Sequence, residues 1–190
     1  MKRAYRLGKR AVSAAETRLR IVEAALALYQ SVGPRQTTVA EIARRAGVER
    51  LTVYNHFADD AALAQACQSF WRMLHPRPDS DAWTKIEAPA KRLEVALDAL
   101  FAWYAKTEAM TRNMLRDSLA DPAFAGVLAA IAKEDQAFID SLVVGWEPTP
   151  WALAALRAGI GFGNWESLCL QSGLPRDEAV ALVVTWVRSA

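Results

Sequence analysis

The chain has 190 residues, 53% of them hydrophobic and 23% charged, with a net charge of +2, which is ordinary for a soluble globular protein with one or two compact domains. No apolar run approaches the ~20 residues of a membrane-spanning helix. The basic N-terminus lacks the apolar core of a signal peptide, and Cys67 and Cys169 have neither CxxC nor metal-ligand spacing. The expected protein is cytoplasmic and reduced, makes no membrane contact, and needs no cofactor or metal. The charge is uneven: residues 1–60 carry a balance of +5 and residues 61–190 one of −3, which suits a DNA reader carrying a separate module.

Residues 1–14, MKRAYRLGKRAVSA, hold Lys2, Arg3, Arg6, Lys9 and Arg10 and no acid. They read as a flexible basic arm, either a solvated tail or an arm adding phosphate and minor-groove contacts. A helix over Glu16–Val32 follows, with Ile21, Ala25, Leu28, Tyr29 and Val32 at helical spacing and Gly33-Pro34 as its stop.

The stretch Thr37–Phe57, TTVAEIARRAGVERLTVYNHF, reads as helix, tight turn, helix. Thr38 and Glu41 make a capping box. Val39, Ile42, Ala43 and Ala46 form one apolar stripe. Gly47 supplies a left-handed corner, and Val48 plugs it. In the second helix, Arg50–Phe57, Val53 and Phe57 turn inward while Arg50, Thr52, Tyr54, Asn55 and His56 face out. This is the helix-turn-helix pattern, whose second helix lies in the major groove of DNA.

The long first helix, the Gly-Pro break, then Thr-Thr-Val-Ala-Glu-Ile-Ala-Arg-Arg-Ala-Gly-Val and Thr-Val-Tyr-Asn-His-Phe together resemble the DNA-binding domain of the TetR family of bacterial transcriptional regulators, over residues 14–66. The chain departs from the family pattern in three places. Glu49 stands where a serine cap is common, Leu51 where a small residue is common, and Ala58-Asp59-Asp60 where a Ser-Lys-Glu run often places a lysine near phosphate. Asp59 still caps the next helix. The lost contacts bear on operator and affinity rather than on fold.

From Ala61 to Leu74 a helix continues with Leu63, Phe70 and Trp71; the resemblance implies that it connects two domains. Pro76 and Pro78 open a loop to Ala88 that contains Trp83, either a buried anchor or part of a lid. Helices are then expected from Pro89, with Leu93, Leu97, Leu100, Phe101 and Tyr104 on one stripe, and over Glu108–Leu119. Others follow after Asp121-Pro122 as far as Gly145, over Trp151–Leu170, and over Asp177–Val187. No stretch reads as a convincing strand.

The expected architecture is all-α. Residues 1–14 form the arm, 15–60 a three-helix helix-turn-helix DNA-binding domain, and 61–190 a helical bundle for ligand binding and dimerisation. The last two helices are apolar over more than one face and need cover on two sides. The resemblance implies a partner copy there, giving two reading helices one DNA turn apart. The candidate interface is Trp151, Gly159, Phe162, Val180, Val183, Val184 and Val187.

The expected DNA-contact set is Thr38, Arg50, Leu51, Thr52, Tyr54, Asn55 and His56. Arg50 suits guanine, Asn55 adenine, and Thr52 a thymine methyl or a base edge. The resemblance implies phosphate contacts for Tyr54 and His56, and the N–H groups at Thr38 suit a phosphate. The tryptophans all lie outside the helix-turn-helix. Most are core, but an aromatic-lined cavity between helices is where a bundle binds a small molecule. The candidate lining is Phe101, Tyr104, Met110, Met114, Phe138 and Trp165.

AGIGFGNW lacks the GxGxxG spacing and the preceding strand of a nucleotide loop. His56 and His75 assemble into no catalytic constellation, and Asp79/Asp81 and Glu134/Asp135 read as solvated surface. The expected function is a non-enzymatic, homodimeric regulator that binds a palindromic double-stranded operator, a repressor released by a small, mostly apolar or aromatic effector. The alternative is a DNA-binding regulator whose C-terminal module only dimerises or contacts a protein partner.

Overall fold

The structure is a computed structural model that describes residues 2–190 except residue 120, with the backbone alone described for residues 2–11. The five basic side chains of the expected arm therefore lie outside the described residues, although the backbone from Lys2 onward is helical. Every regular element among the described residues is helical. The chain forms two compact units: residues 1–75 with 112–128, and residues 76–111 with 129–190.

The first unit begins with α1 (Lys2–Ser31). Ile21, Val22, Ala25, Leu28 and Tyr29 share its buried side, the spacing of an amphipathic helix. A single turn at Pro34–Gln36 leads to α2 (Val39–Ala46) and α3 (Arg50–His56). α4 (Asp60–Leu74) is capped by Asp59, whose carboxylate accepts from Ala62 N at 2.7 Å. Ile42, Ala43, Val53, Phe57, Leu63, Ala64 and Cys67 complete a core that two short helices could not build alone. Residues 112–128 add Phe124, whose ring meets Tyr29 edge-on at 5.9 Å, and Val127, whose carbonyl accepts from Gln68 at 3.5 Å.

α5 (Pro89–Ser118) is one unbroken helix where the sequence predicts two. The break expected near Glu108 does not form because no glycine or proline is present, and the buried Thr107 hydroxyl folds back onto Trp103 O at 2.9 Å. Asp121 caps the turn Pro122–Phe124, and α6 (Ala125–Leu142) follows.

In the second unit Trp83 is an anchor. It is 1% exposed, donates from Nε1 to Ser141 Oγ at 2.9 Å, and meets Phe138 edge-on at 5.3 Å. Arg92, 4% exposed, donates to Ile86 O at 2.9 Å, to Leu142 O at 3.1 Å and to Val144 O. It thereby satisfies carbonyls that the end of α6 leaves open.

α7 (Pro150–Gly159) starts at the Thr149 cap. The helix predicted over Trp151–Leu170 is interrupted at Ile160-Gly161, then resumes as α8 (Phe162–Trp165) and a π-helical turn, Glu166–Gln171. The interruption is stable because side chains take the freed carbonyls: Tyr104 OH donates to Ile160 O at 2.8 Å and Asn164 Nδ2 to Gly159 O at 3.2 Å. α9 (Arg176–Ser189) packs on α7 through Ala179, Val180, Val183 and Val187, all buried.

Candidate nucleic-acid interface

α2 begins where sequence reading puts it. Thr38 Oγ1 accepts from Glu41 N at 3.2 Å. Only this half of the capping box forms. The Glu41 carboxylate turns to Arg44, accepting from Nε at 3.0 Å and from Nη2. That hydrogen bond holds the Glu41 carboxyl below its usual range and raises the Arg44 guanidinium. Arg44 is thereby partly neutralised as a source of positive field.

Gly47 ends α2 at φ 66°, ψ 40°, a left-handed conformation that glycine adopts without steric cost. The corner closes with Val48 N on Ala43 O at 3.0 Å. α3 starts at Glu49, whose side chain makes no capping bond.

Behind α3, Val53 and Phe57 are buried. The Arg18 guanidinium of α1 lies 4.7 Å over the Phe57 ring. This cation–π contact holds the end of α3 against the supporting helix. The opposite face of α3 is open. Arg50, Leu51, Tyr54 and Asn55 are exposed, Leu51 at 67%, and Thr52 and His56 are half-buried. Thr38 is exposed at the start of α2. Of the seven expected contact residues, five are exposed and two half-buried, with hydrogen-bonding groups around one large apolar side chain, Leu51.

The other candidate sets fare differently. Phe101, Tyr104, Met110, Phe138 and Trp165 are all buried in the second unit, while Met114 is half-buried in the segment assigned to the first. Tyr104, Phe162 and Trp165 form an aromatic triad with ring centroids 5.2–5.8 Å apart. Of the interface candidates, Val180, Val183, Val187, Gly159 and Phe162 are buried within the chain itself, Val184 is half-buried, and Trp151 stands 76% exposed. The valines face inward because they meet α7. A Cβ on Gly159 would overlap Val183 Cγ1, so the glycine admits α9 of the same chain. Exposed Trp186, outside the expected set, joins Trp151 as apolar surface on the α7–α9 pair.

Glu134 and Asp135 are not plain solvated surface. They flank Arg77 at 3.5 and 2.6 Å, and its guanidinium lies 5.5 Å from the Trp103 ring. Asp79 is occupied in capping its own turn.

Sequence reading did not single out Arg18 as a support of α3, or Asn113, Arg116 and Asp117, which bond to the end of α1, to Val32 and to Arg35 in the following turn. Their partners lie some 39 to 84 positions away, beyond any local periodicity.

The fold and this face define a class: an all-α helix-turn-helix protein with a separate helical unit. Residues 21–67 match the family model for bacterial regulatory proteins of the tetR family. Over 58 residues the chain is 45% identical to the HTH-type transcriptional regulator SrpR of Pseudomonas putida, covering 30% of this chain and 27% of SrpR. It spans between 25% and 43% of the length of the curated relatives it matches.

A transcriptional regulator from Rhodococcus sp. Rha1 superposes with a TM-score of 0.66 at 18% identity, covering 90% of this chain and 96% of that one. RolR in complex with resorcinol superposes at 0.52 with 20% identity, covering 95% and 90%. Residues 21–67 thus match the DNA-binding part of tetR-family regulators, and the chain takes the fold of the solved transcriptional regulators on which it superposes.

Proposed function

We propose that the protein is a homodimeric, sequence-specific DNA-binding transcriptional regulator acting in the cytoplasm, a repressor that a small apolar or aromatic molecule releases from a palindromic operator. The observation that carries this reading is the open face of α3, with Arg50, Leu51, Tyr54 and Asn55 exposed on a helix anchored from behind by Val53 and Phe57. Arg50 pairs with guanine and Asn55 with adenine, while Leu51 and Thr52 meet thymine methyls. Tyr54, His56 and the N-terminus of α2 take phosphates, which position the reader without specifying sequence.

Dimerisation is supported by the exposed Trp151 and Trp186 on α7 and α9, since exposed apolar surface of this kind calls for cover. A two-fold partner spaces the reading helices for adjacent major grooves. The resorcinol held by RolR and the aromatic interior of the second unit support an aromatic effector. Such an effector shifts the protein only by its differential affinity for the bound and released states.

Gel shift of the purified protein on its own upstream DNA tests the reading. Sequence-selective, salt-sensitive binding at nanomolar protein is expected, and its absence refutes the reading. Arg50→Ala should relax specificity at one position of the site, whereas Tyr54→Phe should weaken all sites alike.

A second reading, a second unit that only dimerises or contacts a protein partner, is favoured by the triad Tyr104, Phe162 and Trp165, whose rings pack on one another. Tryptophan fluorescence and thermal melting across a library of small apolar and aromatic compounds separate the two, because only a ligand-binding unit responds.

A further inference from the structure

Within the first unit, three side chains from the last turns of α5 grip the end of α1 and the turn that follows it. Asn113 Nδ2 donates to Tyr29 O at 3.1 Å and to Gln30 O at 2.8 Å. Arg116 Nη2 donates to Val32 O at 3.1 Å. The Asp117 carboxylate accepts from the Arg35 backbone N–H at 3.2 Å and from Arg116 Nε at 2.6 Å. The carbonyls involved belong to a helix C-terminus and the residue just beyond it, where partners within the helix run out and cationic donors are favoured. Asn113 and Asp117 are buried, so breaking their bonds leaves groups that water cannot readily satisfy.

The same grip reaches the chain on its way into α2. Gly33, at φ 92°, lies so close beneath Asp117 and Arg116 that a Cβ would overlap both side chains. Arg35 is held by Asp117. Thr37 Oγ1 then returns to Gly33 O at 2.8 Å and Thr37 N to Pro34 O at 3.0 Å. The next residue is Thr38, the cap of α2. An unbroken run of bonds therefore leads from the end of α5 to the start of the helix-turn-helix.

We propose that Asn113, Arg116 and Asp117 are positioning residues for DNA reading, fixing the α1–α2 junction in the arrangement that presents α2 and α3 to DNA without touching DNA themselves. This rests on the DNA-binding reading above.

The test uses Arg116→Ala, Asp117→Asn and the conservative Arg116→Lys in the full chain. Affinity is measured for the selected operator and for a non-operator duplex of equal length, with hydrogen exchange followed along the backbone. In Arg116→Ala and Asp117→Asn the clamp predicts an operator affinity lower by about tenfold, faster exchange confined to residues 33–38, and non-operator affinity unchanged. Arg116→Lys keeps a donor for Val32 O and restores operator binding.

Variants that bind operator like the wild type would refute the clamp alone. Equal losses on both duplexes, accompanied by faster exchange throughout the first unit, would reassign the residues to general stability and also refute it. Wild-type protein that selects no DNA removes the reading on which the clamp rests, and is recognised as such before any variant is made.

Discussion

Replacing Gly159 by alanine tests the packing of α7 on α9. Two effects of opposite sign compete. Alanine in place of glycine on a helix favours the folded state by ~0.5–1 kcal/mol. The new Cβ, however, overlaps Val183 Cγ1. Val183 is fully buried on a helix, where a β-branched side chain has one strongly preferred rotamer, so the methyl cannot swing aside.

Overpacking of this kind costs ~1–3 kcal/mol, and the net expectation for Gly159→Ala is a loss of about 1 kcal/mol. Val183→Ala alone loses two methyl groups, ~1.6 kcal/mol at ~0.8 per group. In the double variant the alanine methyl occupies the space that the valine vacates. The two losses should therefore not add, and a coupling of about 1–2 kcal/mol in favour of the double variant is expected.

Urea unfolding followed by tryptophan fluorescence measures all four corners of this cycle, because Trp83, Trp103, Trp146, Trp151, Trp165 and Trp186 all lie in the second unit. A cycle that closes without coupling, or a Gly159→Ala protein more stable than the wild type, would show that the close approach does not limit this site.

Thr38→Ala removes the side-chain cap of α2 and should cost about 1 kcal/mol of stability, read as a lower melting temperature. Trp83→Phe keeps one aromatic ring but removes the pyrrole ring and its bond to Ser141 Oγ, for a loss of about 2 kcal/mol or more in urea titration. The hydrogen bond from Arg116, helped by the Arg35 N–H, holds the Asp117 carboxyl below its usual value against the opposing effect of burial. A folded pKa below the unfolded one stabilises above the unfolded value and fades as pH falls through the folded value, so this contribution should be lost only below about pH 4. Asp117→Asn should flatten the acid limb of the stability profile there.

Burial pushes the Cys67 thiol up to about 12, and Cys169, half-buried, is raised by the same cause. A thiol reagent at neutral pH should label Cys169 in the native protein and reach Cys67 only on unfolding. Equal labelling of both would contradict the packing of α4 against α1.

The helix-turn-helix is legible in sequence because each of its determinants is local. Thr38 meets the N–H of Glu41, three residues on, Gly47 alone must take the left-handed corner, and Val53 and Phe57 fall one turn apart. The exposed face of α3 follows by subtraction from its buried face. Local reading went astray at two helix breaks. Thr107 did not end a helix, because its hydroxyl is satisfied within α5. Ile160-Gly161 did interrupt one, because Tyr104, 56 positions away, supplies a donor to the freed carbonyl. The apolar last helix needs cover on two sides, as its pattern says, but one side is α7 of the same chain.

Sequence alone therefore determined the all-α class, the helix-turn-helix motif and the exposed side of α3, since helix periodicity, caps and corners are set within a few residues. Only the tertiary structure decided which apolar residues stay exposed, that Trp83 is an anchor, and that residues 112–128 belong with the first unit. Those outcomes depend on contacts between segments far apart in the chain. No periodicity encodes such contacts, and they are chosen by the joint demand that buried surface be close-packed and buried polar groups be paired.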